Sequence, residues 1–237
     1  MANMTRRSLL ALPALAPFAG GILASTLKQS GIKATPDKNV ERQARARELI
    51  KQRYFPDVPL ITHEGKKVRF YEDLIKDKSV VLNMMYADCE GVCPGITANL
   101  VKVQKLLGDR VGRDIFFYSL TLKPEKDGPK ALKAYVDMHG VRPGWLFLTG
   151  RPADIELLRR KLGFTNPDPK LDADTSQHIG NIRFGNEPRT HWAACPGLAK
   201  ATWIVEELSW VMPPVMPPVM PPQERRVMPP EERRAKA

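Results

Sequence analysis

A largely apolar run over residues 79–86, ending in Met84-Met85-Tyr86, passes straight into Ala87-Asp88-Cys89-Glu90-Gly91-Val92-Cys93-Pro94. Beyond it, Ile96, Leu100, Val103 and Leu107 recur at the spacing of one helical face. The run reads as a central strand. Strand, tight turn and helix therefore follow one another within thirty positions, with two thiols on the turn. Only a fold that stacks helices on a sheet accommodates this succession.

The rest of the chain extends the pattern. A helical segment is expected around residues 39–53. Residues 58–71 alternate about Glu64-Gly65-Lys66 and predict an N-terminal β-hairpin with a glycine turn. Residues 114–122 predict a second strand. Residues 128–139 predict a helix with Leu132, Tyr135 and Val136 on its apolar face. Residues 145–148 predict a third strand, and 152–162 a helix stopped by Gly163. Residues 179–184 and 201–205 read as late strands. The expected class is α/β, a sheet flanked by helices.

Both ends differ in composition. Thr5-Arg6-Arg7-Ser8-Leu9-Leu10 and the Leu/Ala-rich stretch that follows read as an export signal over residues 1–30, similar to a twin-arginine or a general secretory leader, or as a membrane anchor. Residues 31–53 read as a linker and 54–208 as the folded domain. Residues 209–237 contain Val-Met-Pro-Pro four times. Proline at that density prevents helix and sheet pairing, so a disordered, polyproline-like tail is expected. Its thioethers, Met212, Met216, Met220 and Met228, are soft enough to meet Cu(I). The leader places the folded part outside the cytoplasm, in the periplasm or on the periplasmic face of the inner membrane.

The formal charge of +11 would suit nucleic acid, but Lys and Arg are scattered, without a basic stripe interleaved with aromatics. An acidic protein partner or an anionic membrane surface fits that charge better, and no nucleic-acid partner is expected.

The chemistry lies with the cysteines. Cys89 and Cys93 are paired and Cys195 is far away, which is not a disulfide-stapled scaffold. With Pro94 at the first helical position, Cys93 falls at a helix N-terminus, where free N–H groups and the helix dipole favour a thiolate. A three-residue loop containing Gly91 can bring both sulfurs to one point. Two such thiols either share a soft metal or act as a redox pair. Candidates for further ligands are His63, His139, His178, His191 and Cys195. His63 reads as a solvated hairpin residue, His139 as a helix end, His191 as a surface or core histidine, and Cys195 as a packed, inert thiol. A zinc site of Cys89, Cys93, Cys195 and a histidine would lack a second close-spaced ligand pair.

The stretch Cys89-Glu90-Gly91-Val92-Cys93-Pro94 with Thr97-Ala98-Asn99-Leu100 and Gln104 resembles the Sco/SenC family of copper-binding, thioredoxin-fold proteins. So do the blocks Lys123-Pro124-Glu125-Lys126-Asp127, Leu132-Lys133-Ala134-Tyr135 and Gly144-Trp145-Leu146-Phe147-Leu148-Thr149-Gly150. The resemblance covers residues 54–207. It implies a thioredoxin-like domain and a copper chaperone, holding copper through Cys89, Cys93 and a distal histidine. The partner it implies is the cytochrome c oxidase subunit carrying the binuclear copper centre, together with a thiol reductant and a membrane tether. Asp174-Thr175-Ser176-Gln177-His178-Ile179-Gly180 matches the histidine segment, which makes His178 the third ligand; Gln177 and Ile179 depart from the family's usual acidic residue and serine. Lys123 stands where the family often has aspartate, and a cation there would favour thiolate and anionic copper–thiolate forms. The alternative function is an extracytoplasmic thiol–disulfide oxidoreductase using Cys89 and Cys93, the one enzymatic activity considered.

Overall fold

Every residue of strand β3 (Ser79–Met85) is buried, which is the burial of a strand with sheet on both sides and helices on both faces. The computed structural model describes residues 38–173 and 180–212. Around β3 lies a mixed seven-stranded sheet with the order β2-β1-β5-β4-β3-β6-β7. β4 (Ile115–Thr121) runs parallel to β3, and β5 (Trp145–Gly150) runs parallel to β4. Helix α2 (Val92–Leu107) makes the crossover from β3 to β4, and α3 (Pro129–Met138) that from β4 to β5. β6 (Asn181–Asn186) is antiparallel to β3, and β7 (His191–Pro196) closes that side. On the other side β1 (Pro59–Thr62) pairs antiparallel with β5, and β2 (Lys67–Arg69) forms a hairpin with β1 around Gly65, whose φ of 80° suits glycine.

The sheet divides the core in two. One face packs Val81, Met85 and Phe117 under α2, α3 and α6 (Ala201–Val211), and both cysteines of the pair belong to this cluster. The opposite face packs Val80, Leu82 and Tyr118 under a π-helical turn (Phe70–Ile75) and α4 (Pro152–Lys161). Helix α1 (Lys38–Tyr54) buries no residue fully. It is tied down by Arg47, which pairs with Asp77 and Glu187. Short helix α5 (Pro169–Ala173) is anchored by Asp172, which pairs with Arg159 at 2.6 Å.

Three expectations are corrected. Residues 201–205 are not a strand but the start of α6, because Ile204, Leu208 and Val211 continue the run at helical spacing and are buried. Met212 is not a tail residue: it is 2% exposed and packs in the core beside Val211. His63 is not solvated. It is 9% exposed, and its Nδ1 accepts the Phe147 N–H at 3.1 Å, so its place is set by the β1–β5 pairing rather than by the turn next to it. Burial lowers its pKa below the ordinary imidazole value. Met216, Met220, Met228 and the leader lie outside the described residues.

Candidate metal centre

Cys89 sits on the loop that leaves β3 and Cys93 in the first turn of α2. They are 6% and 1% exposed, and both are free thiols. The helix begins at Val92, with Gly91 as its N-cap, so Cys93 is the second helical residue and Pro94 the third rather than the first. Proline is still accommodated there, since the first-turn N–H groups have no partner within the helix.

This two-residue offset reverses the expected roles of the two sulfurs. Cys89 lies just outside the helix, and the N–H groups of Gly91 and Cys93 donate to its sulfur. Burial raises the Cys89 pKa, but hydrogen bonds from the Cys93 thiol, the Tyr86 hydroxyl and those two amides outweigh it and bring the pKa below the ordinary thiol value. Cys93 is pushed well up, first by burial and then by donating to Cys89. Of the two sulfurs, Cys89 is therefore the one biased toward thiolate and Cys93 the one biased toward the protonated thiol.

The loop is braced from β4. The Ala87 N–H and the Thr121 hydroxyl both donate to Asp127 Oδ2, the former at 3.0 Å, and Asp127 is 2% exposed. Leu122 N–H reaches Met85 O at 2.7 Å. Lys123 does stand near the site. Its ammonium lies 3.6 Å over the Tyr86 ring and 3.3 Å from Asp88, so it acts on Cys89 through the tyrosine whose hydroxyl donates to that sulfur. Tyr135, hydrogen-bonded to Thr97 at 3.0 Å, lies close enough to feel both sulfurs, and burial pushes its hydroxyl up to about 12. Sequence reasoning quoted Tyr86 and Asp127 inside motifs without assigning them roles. Their signal was proximity in sequence to the cysteines and to Lys123. Replacing Asp127 with Ala strands the buried Thr121 hydroxyl, at about 1–3 kcal/mol, and a part-buried N–H that water can partly satisfy. We expect a stability loss of about 2 kcal/mol in urea unfolding and faster hydrogen exchange at the Ala87 amide.

Among the described residues no three His, Cys, Asp or Glu side chains gather into a metal site, so His63, His139, His191 and Cys195 do not complete a zinc set with the pair. Cys195 on β7 is 4% exposed and burial raises its pKa to about 11, the state of an inert packed thiol. His139 caps α3 with its ring 4.2 Å from that of Tyr135. His191 is exposed on β7. His178 lies outside the described residues, but Gly180, two positions on, is placed. Gly180 itself lies against the N-terminal part of α2, since a Cβ on it would lie 3.8 Å from Val92 and 3.1 Å from Ile96. The donor set in hand, two adjacent sulfurs with one biased to thiolate, fits a soft monovalent ion such as Cu(I) better than a hard divalent one.

The SCO1/SenC family model matches residues 47–212. A curated relative, the SCO1 protein homolog of Bacillus subtilis, is 31% identical over 88 residues, 37% of this chain and 44% of that protein, so the match spans less than half the relative's length. The solved SCO1/SenC family lipoprotein of Bacillus anthracis superposes with a TM-score of 0.56 at 23% identity, covering 67% of this chain and 95% of that one. ScoI of Bradyrhizobium japonicum, solved with copper bound, gives 0.53 at 20% over 65% and 96%. BsSco, described as having a disulfide switch and as a member of the Sco family of cytochrome c oxidase assembly proteins, gives 0.54 at 21% over 66% and 92%. These structures share the mixed sheet flanked by helices, the thioredoxin-like arrangement expected for the chain.

Proposed function

Starting from the chain's membership of the SCO1/SenC family, we propose that it is an extracytoplasmic copper chaperone. It takes copper as cargo on Cys89, Cys93 and His178 and serves assembly of the copper centre of cytochrome c oxidase. The observation that carries this reading is the sulfur pair itself: two free thiols in hydrogen-bond contact on one loop, with Cys89 already held toward the thiolate that a soft metal needs. Copper-bound ScoI of Bradyrhizobium japonicum supports the cargo, and the description of BsSco supports the oxidase. Two sulfurs leave room for a third ligand. His178 is two residues from Gly180, and two extended residues reach about 7 Å, enough to approach the helix turn that bears Cys93.

The folded domain, expected over residues 54–208, is carried on to Met212 by α6, so the reading takes a leader or anchor at 1–30, a linker at 31–53 that bears α1, and a Met/Pro tail after residue 212. The location is the periplasm or its membrane face. Among the described residues no helix is long and apolar enough to cross a membrane, so a tether would come from the leader; the Bacillus anthracis relative is a lipoprotein.

A second reading is favoured by the asymmetry of the pair. The Cys89 thiolate could attack a partner disulfide, forming a mixed disulfide and releasing one partner thiolate. Cys93, giving up its proton, would then attack Cys89 Sγ and release the second thiolate. Two electrons pass to the partner and a Cys89–Cys93 disulfide remains. The discriminating experiment is titration of the reduced chain with Cu(I) before and after alkylation of the cysteines. One equivalent bound before and none after supports copper. Absence of tight binding before alkylation, with reduction of a disulfide peptide, would transfer the function to the redox reading.

A further inference from the structure

The hairpin of β6 and β7 builds a second site. On the sheet face opposite the cysteine pair, Leu82, Arg183 and Ala194 form one cross-strand row, and Val80, Gly185 and Trp192 the next. A cavity of about 580 Å³ opens there, walled by Phe55, Leu82, Trp192 and Ala194 and rimmed by Arg183 and Lys161. Its shape depends on Gly185. A Cβ at that position would lie 2.3 Å from the Trp192 ring, so glycine lets the indole lie flat across β6, where it meets Phe55 with centroids 4.5 Å apart.

Three features of this cavity call for an acceptor. Arg183 Nε and Trp192 Nε1 are buried donors without a partner, two of the three such side-chain atoms among the described residues. Arg183 donates from its outer nitrogen to Gly163 O and stacks 5.3 Å over Phe164, but no carboxylate pairs with it among the described residues. Burial without such a partner lowers its pKa. Lys161 likewise has no ion pair among the described residues, while its neighbour Arg160 is taken by Glu156. A half-buried guanidinium that lines an apolar cleft and has its Nε without a partner is costly unless an anion completes it.

The third element is backbone. β7 is the last strand of the sheet, so the N–H and C=O groups of its alternate residues, those turned away from β6, have no strand beside them among the described residues. An open edge is a template for an added strand. The geometry points to a docking site for an extended acidic segment of a partner protein, which adds to the β7 edge and places a Glu or Asp carboxylate against Arg183 and the Trp192 indole N–H, its neighbouring apolar side chain filling the cleft. This site lies across the sheet from Cys89 and Cys93 and is independent of the copper proposal.

The test uses the full-length 15N-labelled chain and two blocked peptides, acetyl-Val-Thr-Val-Glu-Val-Thr-amide and its Gln counterpart. The Glu peptide is expected to shift the Trp192 indole and the Ala193 and Ala194 amide signals and to bind about tenfold or more tighter than the Gln peptide, the worth of a charge-assisted hydrogen bond. Arg183→Gln should erase that difference. Equal binding of the two peptides, or no shifts at those signals at millimolar peptide, overturns the proposal. So does octanoate binding as tightly as the Glu peptide, which would mark a small-carboxylate pocket. Concentration-dependent protection of the β7 amides without peptide would assign the edge to a second copy of the chain and overturns it as well.

Discussion

Copper added to the reduced chain carrying both Cys89→Ser and Cys93→Ser is expected to find no tight site, and each single substitution should weaken Cu(I) binding by more than about a hundredfold. The magnitude follows from what the substitutions remove. Losing a group that merely orients a ligand costs about 10–100-fold in metal affinity, and loss of the ligand itself exceeds that. Serine keeps the shape of the side chain but replaces a soft, polarisable sulfur by a hard oxygen that stays protonated. Cys89→Ser should be the worse of the two in apo-state effects as well, because Cys89 collects four donors: the Tyr86 hydroxyl, the Cys93 thiol and two amides. His178→Ala should act differently, weakening Cu(II) more than Cu(I), since imidazole suits the harder ion. Competition with a chromophoric Cu(I) chelator and electron paramagnetic resonance of the Cu(II) form read the two states separately. Stoichiometric tight binding that persists in the double serine variant would remove the copper proposal.

The largest effect on folding is expected at Glu187. Its side chain is 3% exposed and accepts from Arg47, from the Tyr71 hydroxyl at 2.8 Å and from the Asp77 N–H at 2.8 Å. Its own N–H donates to Lys78 O at 3.0 Å. One carboxylate thus joins α1, the π-helical turn and the entry to β3. Removing one partner of a buried pair costs about 3–5 kcal/mol. Arg47 is 31% exposed and regains water, which places Glu187→Ala near the lower end, about 3 kcal/mol. Glu187→Gln, which still accepts from Tyr71 and Asp77, should lose about half as much. Urea midpoints of the three proteins check the order, and an Ala variant within about 0.5 kcal/mol of the parent would show that α1 is not held through this residue.

The strand–turn–helix passage and the crossovers after it were legible because periodicity is a local property: β3, α2, β4, α3, β5 and α4 all lie where their apolar spacing puts them. What was not legible depended on distant residues. Ala201-Thr202-Trp203-Ile204-Val205 has strand composition over five residues, and only burial of Leu208 and Val211 against α2 and β6 makes it helical. His63 looks solvated beside its turn until β5 covers it. At the site, the pairing of Cys89 with Cys93 was legible from spacing. Which sulfur is biased toward thiolate was not, since it turns on the helix beginning at Val92, two residues before Pro94. The Asp127 brace needed the fold, because it crosses from one loop to another forty positions away.

The strand order has a consequence for how the chain is made. β1 finds its partner only in β5, where Leu60 lies opposite Gly150, and β3 lacks its outer neighbour until β6 exists, where Ser79 lies opposite Asn186. A ribosome releasing this chain from its N-terminus therefore presents a hairpin without its sheet neighbour until β5 emerges, and a half-covered central strand until β6 emerges in the last quarter of the polypeptide. Such long-range closure is slow and leaves strand edges open meanwhile. The nascent domain is thus a natural client for holding factors during synthesis, and the cysteine loop reaches its final setting only once the strand that follows the histidine segment has been delivered.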